Sequence, residues 1–128
     1  KNRFGDRLKI MTGVDTLALE SLLMGADGWI AGLVCAFPKE TVAIYELQRA
    51  GRIQEALEIY RWFLPLLELD INSKLVQNIK LAEVATGIGT ENVRAPRLPL
   101  IGDERKHVLN GIETGLKNRP TLPDYKNL

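Results

Sequence analysis

Apolar residues follow two spacings along this chain: short runs near the amino end, then a helical period. Leu8–Thr12 (Leu-Lys-Ile-Met-Thr) predicts a strand that stops at the turn signal Gly13-Val14-Asp15. Thr16–Met24, with Leu17, Leu19, Leu22 and Leu23 apolar, predicts a short helix that Asp15 or Thr16 can cap. Gly25 suits the left-handed position that closes such a helix. Trp29–Val34 is an apolar run of strand length, preceded by Gly28 and containing Gly32. A run apolar on both faces suits a parallel strand covered on both sides. Gly32 weakens a strand and marks the close approach of a ligand or another backbone. Strand, helix and strand joined by short loops form a βαβ unit, which implies a parallel pair and a right-handed crossover.

After Pro38, well placed in the first turn of a helix, only helices are predicted. Lys39–Ala50 is helical and ends at Gly51. From Ile53 to about Asp70, residues Ile53, Ala56, Tyr60, Phe63 and Leu67 recur at helical spacing, and Pro65 should kink the helix. Asn72 or Ser73 can cap the next helix, which runs to about Thr86 and stops at Gly87-Ile88-Gly89. Asn92–Ile101, with Pro96 and Pro99, reads as an extended connector. Gly102 or Asp103 opens a last helix to about Lys117, and Pro120 and Pro123 mark a tail over the surface.

Composition narrows the function classes. The 128 residues carry a formal charge of +1, so no electrostatic case exists for nucleic acid or an anionic membrane. One cysteine rules out an internal disulfide and a cysteine-rich metal site, and suits a cytoplasmic protein. No apolar run reaches transmembrane length. The amino end, Lys1–Arg7, is neither a signal peptide nor a usual start, and reads as internal. Two parallel strands are marginal alone, and both of their faces want covering. The expected fold class is therefore α/β, mostly helical as it stands: the carboxyl end of a larger protein. A module of another class stays open, a non-catalytic helical unit that pairs with a partner chain through its strand edge.

The order and spacing of Gly13-Val14-Asp15, Gly25-Ala26-Asp27-Gly28-Trp29-Ile30, Gly51-Arg52-Ile53-Gln54-Glu55-Ala56 and Pro65-Leu66-Leu67 resemble the dihydrodipicolinate synthase/N-acetylneuraminate lyase family. The resemblance covers essentially the whole chain. It implies a (β/α)₈ barrel of which this chain is the carboxyl-terminal part. Residues 1–50 would be the last two βα units, with Leu8–Thr12 on strand seven and Trp29–Val34 on strand eight. Residues 51–128 would be the helical extension. It further implies a lysine Schiff base on a 2-oxo acid or cyclic imine, no cofactor and no metal. The Schiff-base lysine of strand six and the proton-relay tyrosine of strand four would both lie upstream, so this chain alone should be inactive and needs the missing amino-terminal part of the barrel. A homo-oligomer, dimer or tetramer, is implied for the full-length protein.

The substrate-binding residues implied here are Gly13, Asp15, Ile30 and Gly32. Gly13 and Asp15 match the family's Gly-x-Asp, whose acidic residue meets the distal polar part of the substrate in sialic acid lyases. The plain alternative is that Asp15 only caps a helix. Ile30 matches a residue whose backbone carbonyl points at the lysine, with its side chain in the core. Gly32 matches a position that carries a substrate-binding serine in sialic acid lyases, and cannot donate a hydroxyl. Cys35 falls where dihydrodipicolinate synthases commonly have Asn; one residue past the strand, it is expected as a small buried apolar residue, with a reactive thiol as the alternative. Lys9 reads as a rim or surface residue, and Lys80 matches a lysine of the extension away from the chemistry. Tyr45, Tyr60, Trp29 and Trp62 read as packing residues. His107, beside Arg105 and Lys106, reads as solvated, with no metal site around it.

Phe37-Pro38-Lys39-Glu40, Tyr60-Arg61-Trp62-Phe63 and Arg94-Ala95-Pro96-Arg97-Leu98-Pro99 look closest to hydroxyproline-catabolic deaminases acting on 1-pyrroline-4-hydroxy-2-carboxylate. Gly32-Leu33-Val34-Cys35 departs from the sequences of sialic acid lyases and dihydrodipicolinate synthases alike. Dihydrodipicolinate synthase and a 2-keto-3-deoxy sugar-acid aldolase or dehydratase stay open. In all of them a lysine amine attacks a carbonyl or imine carbon, and the iminium formed serves as an electron sink.

Overall fold

The chain folds as a small parallel βαβ unit followed by a helical layer, and the computed structural model describes residues 1–128. Strand β1 (Met11–Thr12) pairs in parallel with β2 (Gly28–Trp29), Met11 facing Gly28 and Thr12 facing Trp29. Helix α1 (Ala18–Leu23) crosses between them. Helices α2 (Pro38–Arg49), α3 (Ile53–Leu67), α4 (Leu75–Ala85) and α5 (Gly102–Lys117) follow.

Both strands are shorter than their apolar runs. The predicted strand 8–12 keeps only its last two residues in the ladder, although the Ile10 carbonyl still accepts the Asp27 N–H at 2.7 Å. The predicted strand 29–34 leaves the ladder after the Ile30 N–H bonds the Thr12 carbonyl at 2.9 Å. Residues Leu33–Cys35 then form a 3₁₀ turn. The Gly32 and Leu33 N–H groups have turned to the Asp15 carboxylate instead of a neighbouring strand. Burial is also one-sided. The sheet has two strands and no layer over its second face, so Ile30, expected in the core, is 68% exposed.

The core lies between the helices. Phe37, Ile44 and Leu47 meet Ala56, Ile59, Phe63 and Leu67 across α2 and α3, and Val108 and Ile112 close it from α5. Trp62 stacks on Phe63 at 5.4 Å, and Phe37 meets both edge-on. Such contacts suit the ring quadrupoles and add to burial. The Trp62 indole N–H bonds the Gly115 carbonyl at 2.9 Å, fixing α5 on α3.

The helix stops follow the glycines. After α1, Gly25 takes φ +97°, with its N–H on the Leu22 carbonyl and the Ala26 N–H on the Ser21 carbonyl. This paired bonding satisfies carbonyls left over at a helix end, and the left-handed residue between them has no Cβ to clash. Gly51 and Gly87 close α2 and α4 with the same two bonds.

The helix starts differ from expectation. Neither Asp15 nor Thr16 caps α1. Asp15–Leu17 is a 3₁₀ turn ahead of it, and the Ala18 N–H donates to Tyr60 Oη at 3.1 Å. A residue of α3, 42 positions away, thus serves a donor that sequence assigns to a local cap. Asn72 acts one step early: its Oδ1 accepts the Lys74 N–H at 2.8 Å, and Ser73 makes no cap for α4. Helix α3 runs through Pro65, and its tail Glu68–Asp70 tightens to a 3₁₀ turn.

Candidate active-site rim

The four residues expected on the substrate side, Gly13, Asp15, Ile30 and Gly32, lie at or just beyond the carboxyl ends of the two strands. Gly13 leaves β1 with its open face toward the Ile30 carbonyl, 4.0 Å from where a Cβ would stand. Gly13 and Ile30 are therefore neighbours, 17 residues apart in sequence and one strand apart in space. Asp15 and Gly32 are joined more tightly. Asp15 is 1% exposed. Its Oδ1 accepts the Trp29 indole N–H at 2.9 Å, and its Oδ2 accepts the Gly32 and Leu33 N–H groups at 3.1 and 3.0 Å. A buried carboxylate is tolerated when donors of this kind replace water. Asp15 is neither a helix cap nor an open group: it holds the turn that follows β2.

Tyr60 extends this network. Its hydroxyl donates to the Asp15 carbonyl at 3.0 Å while accepting from Ala18. Burial first, then the negative charge of Glu20, pushes its phenol up to about 12. Sequence reading places Tyr60 as packing; its polar role depends on a contact 45 residues distant, which periodicity does not carry.

Gly32 shows the close approach that its position in an apolar run suggests, and the approaching group is a side chain. A Cβ at position 32 would stand 2.5 to 2.7 Å from the carboxyl atoms of Asp70. Asp70, brought there by the 3₁₀ turn after α3, is missed by sequence reading. Its carboxyl is pushed above its ordinary value by burial first and then by Asp15.

The other candidates are spread out. Cys35 is exposed, which corrects the expectation of a small buried apolar residue: the 3₁₀ turn sends Leu33 inward and Cys35 outward. Asp27, on the amino side of β2, is held down to about 2 by the Lys1 ammonium first and the Ile10 N–H next. Tyr45 donates to the Asp27 carbonyl at 3.0 Å. Lys9 is exposed 3.5 Å from Asp27, and Lys80 pairs with Glu83 on α4 at 3.5 Å, far from the strand ends in sequence. His107 is exposed on α5. No group of three or more His, Cys, Asp or Glu residues is placed to hold a metal ion. No helix is long and apolar enough to cross a membrane.

A parallel βα pair followed by helices defines a piece of an α/β protein. Residues 1–114 match the dihydrodipicolinate synthetase family, and the chain belongs to that family. It is 31% identical over 100 residues to a 4-hydroxy-tetrahydrodipicolinate synthase of Pelodictyon phaeoclathratiforme, a match covering 78% of this chain and 34% of that protein. An uncharacterized DapA-like lyase of Pyrococcus abyssi is 26% identical over 86% of this chain and 38% of its own length. The solved 4-hydroxy-tetrahydrodipicolinate synthase of Methylacidiphilum fumariolicum SolV superposes with a TM-score of 0.70 at 28% identity, over 85% of this chain and 35% of that one. The chain thus spans about a third of the length of the relatives it matches.

Proposed function

We propose that residues 1–128 supply strands seven and eight and the helical extension of a (β/α)₈ barrel that acts through a lysine Schiff base on a 2-oxo acid or cyclic imine. Family membership supports this reading. The observation that carries it is the meeting of Gly13 with the Ile30 carbonyl past the strand ends, where such barrels react. The lysine and the relay tyrosine belong to strands outside these residues, so the chain alone is inactive. Gly13 leaves room for substrate, and Ile30 offers its carbonyl to the lysine. Asp15, with its oxygens already engaged, works by holding Gly32 and Leu33 in place.

The substrate we favour is 1-pyrroline-4-hydroxy-2-carboxylate, with release of ammonia. The segments 37–40, 60–63 and 94–99 support it, as does the absence of a Thr-Ala-Asn sequence at positions 32–35. A second reading, 4-hydroxy-tetrahydrodipicolinate synthase, is favoured by the names of the relatives. The test is to assay the full-length protein with the hydroxylated cyclic imine and, separately, with pyruvate plus an amino-aldehyde. Ammonia release from the imine supports the deaminase. Condensation without it supports the synthase, and no turnover of either contradicts both.

A further inference from the structure

Only two buried side-chain polar atoms lack a partner, Glu40 Oε2 and Asp70 Oδ1. Glu40 has its other oxygen held by Arg119 at 2.5 Å, so its carboxylate is compensated. Asp70 has nothing comparable. The fold therefore keeps an unsatisfied carboxyl at a place where an amide or an apolar residue would cost less. Such a group calls for an explanation outside the fold.

Its position gives one. The carboxyl stands 2.5 to 2.7 Å from where a Cβ of residue 32 would be, so it occupies the space into which a side chain at 32 would project. Its Oδ1 is sealed against that turn, whereas the residue as a whole is only half-buried. Asp15, the other carboxylate nearby, has its oxygens taken by Trp29, Gly32 and Leu33. Asp70 is the carboxyl left at this strand end with hydrogen-bonding capacity to offer. Resting on the Schiff-base reading above, we propose that Asp70 is a specificity-determining residue: the helical extension delivers to the strand-eight position the polar side chain that Gly32 lacks, and it binds the distal hydroxyl of a hydroxylated 2-oxo acid or cyclic imine. Burial first, then the Asp15 charge, push its carboxyl above the ordinary carboxylate range.

The test uses the full-length protein and reads the concentration at which borohydride trapping of the lysine adduct is half-maximal. A 4-hydroxy-2-oxo acid is compared with pyruvate, which has no distal hydroxyl. Asp70→Ala should raise the value for the hydroxylated acid by about tenfold, the worth of one strong hydrogen bond, and leave pyruvate within about twofold. Asp70→Asn, isosteric and still able to hydrogen-bond, should fall between and should not lower the melting temperature. Equal shifts for both acids, or no shift for either, would assign Asp70 to packing and overturn the proposal. Absence of any adduct in the unsubstituted protein would instead overturn the Schiff-base reading, and this proposal with it.

Discussion

The Trp29 indole N–H donates to Asp15 Oδ1 at 2.9 Å, and this bond ties the turn after β1 to the end of β2. The Gly32 and Leu33 N–H groups converge on the same carboxylate. Asp15→Asn leaves one acceptor oxygen and sets an NH₂ against backbone donors. It should therefore lower stability by about 2 kcal/mol, the range for hydrogen bonds to a charged group. Trp29→Phe, which removes a single donor, should cost about 1 kcal/mol. Urea unfolding of the two variants measures both, and an undisturbed midpoint for Asp15→Asn would mean that the carboxylate does not hold the turn.

Tyr60 bonds Asp15 and Ala18 from α3. In Tyr60→Phe the Asp15 carbonyl and the Ala18 N–H keep only the bond they make to each other, at a cost of about 1 kcal/mol. The same residue sets an alkaline limit. Its phenol rises from 10.0 to about 12 on folding, so the folded state holds the proton more tightly than the unfolded chain. That contribution is complete below pH 10 and is lost as pH rises through 12. Thermal melts between those values should fall more steeply with pH for the unsubstituted chain than for Tyr60→Phe; parallel curves would refute the coupling.

Asp70 predicts a pH dependence in the acid range. Burial and Asp15 raise its carboxyl above 3.8, so folding is opposed once the group ionises. Its contribution is favourable below the unfolded value and falls as pH rises through the raised folded value. Asp70→Asn should therefore gain stability relative to the unsubstituted chain as pH rises above about 4. Denaturation midpoints at several pH values check this, and a gain that does not change with pH would speak against the buried carboxyl as its source.

Glu40 is 1% exposed and is reached by Arg119 Nε, 79 residues later, which also lies over the Phe37 ring. Arg119→Ala would leave a buried carboxylate without its cation. The expected loss is about 3 kcal/mol, the low end for breaking such a pair, because the arginine side chain is 37% exposed. Glu40→Gln in the same background should recover part of it, since the amide has no charge to compensate. Calorimetry of the single and double variants reads the difference.

What sequence made legible follows the range of each interaction. The helices from α2 onward and the glycines that close them depend on neighbours within a turn or two, and Gly25, Gly51 and Gly87 stand where their pattern places them. The parallel pairing of β1 and β2 follows from a short crossover. The strand lengths do not, because an apolar run states how buried a segment is meant to be and not where its N–H groups find acceptors. Residues 32 and 33 find theirs in Asp15, and Ala18 finds one in Tyr60. Asp15 beside Thr16 looks locally like a cap, whereas its partners lie 14 to 18 residues onward. Asp70 and Gly32 carry no local signal of each other at all; only the approach itself, suggested by a glycine inside an apolar run, could be anticipated.

The most direct test of the account is intact-mass measurement after incubation with pyruvate and borohydride, on the 128-residue chain and on the full-length protein in parallel. Schiff-base chemistry needs an amine that is partly neutral near pH 7, which takes desolvation or a neighbouring charge. Lys9 is exposed, and Lys80 pairs with Glu83, so neither is set up for it. No adduct is expected on the 128-residue chain, and one adduct per full-length chain, mapping outside residues 1–128. Stoichiometric trapping on any lysine of the 128-residue chain would contradict it.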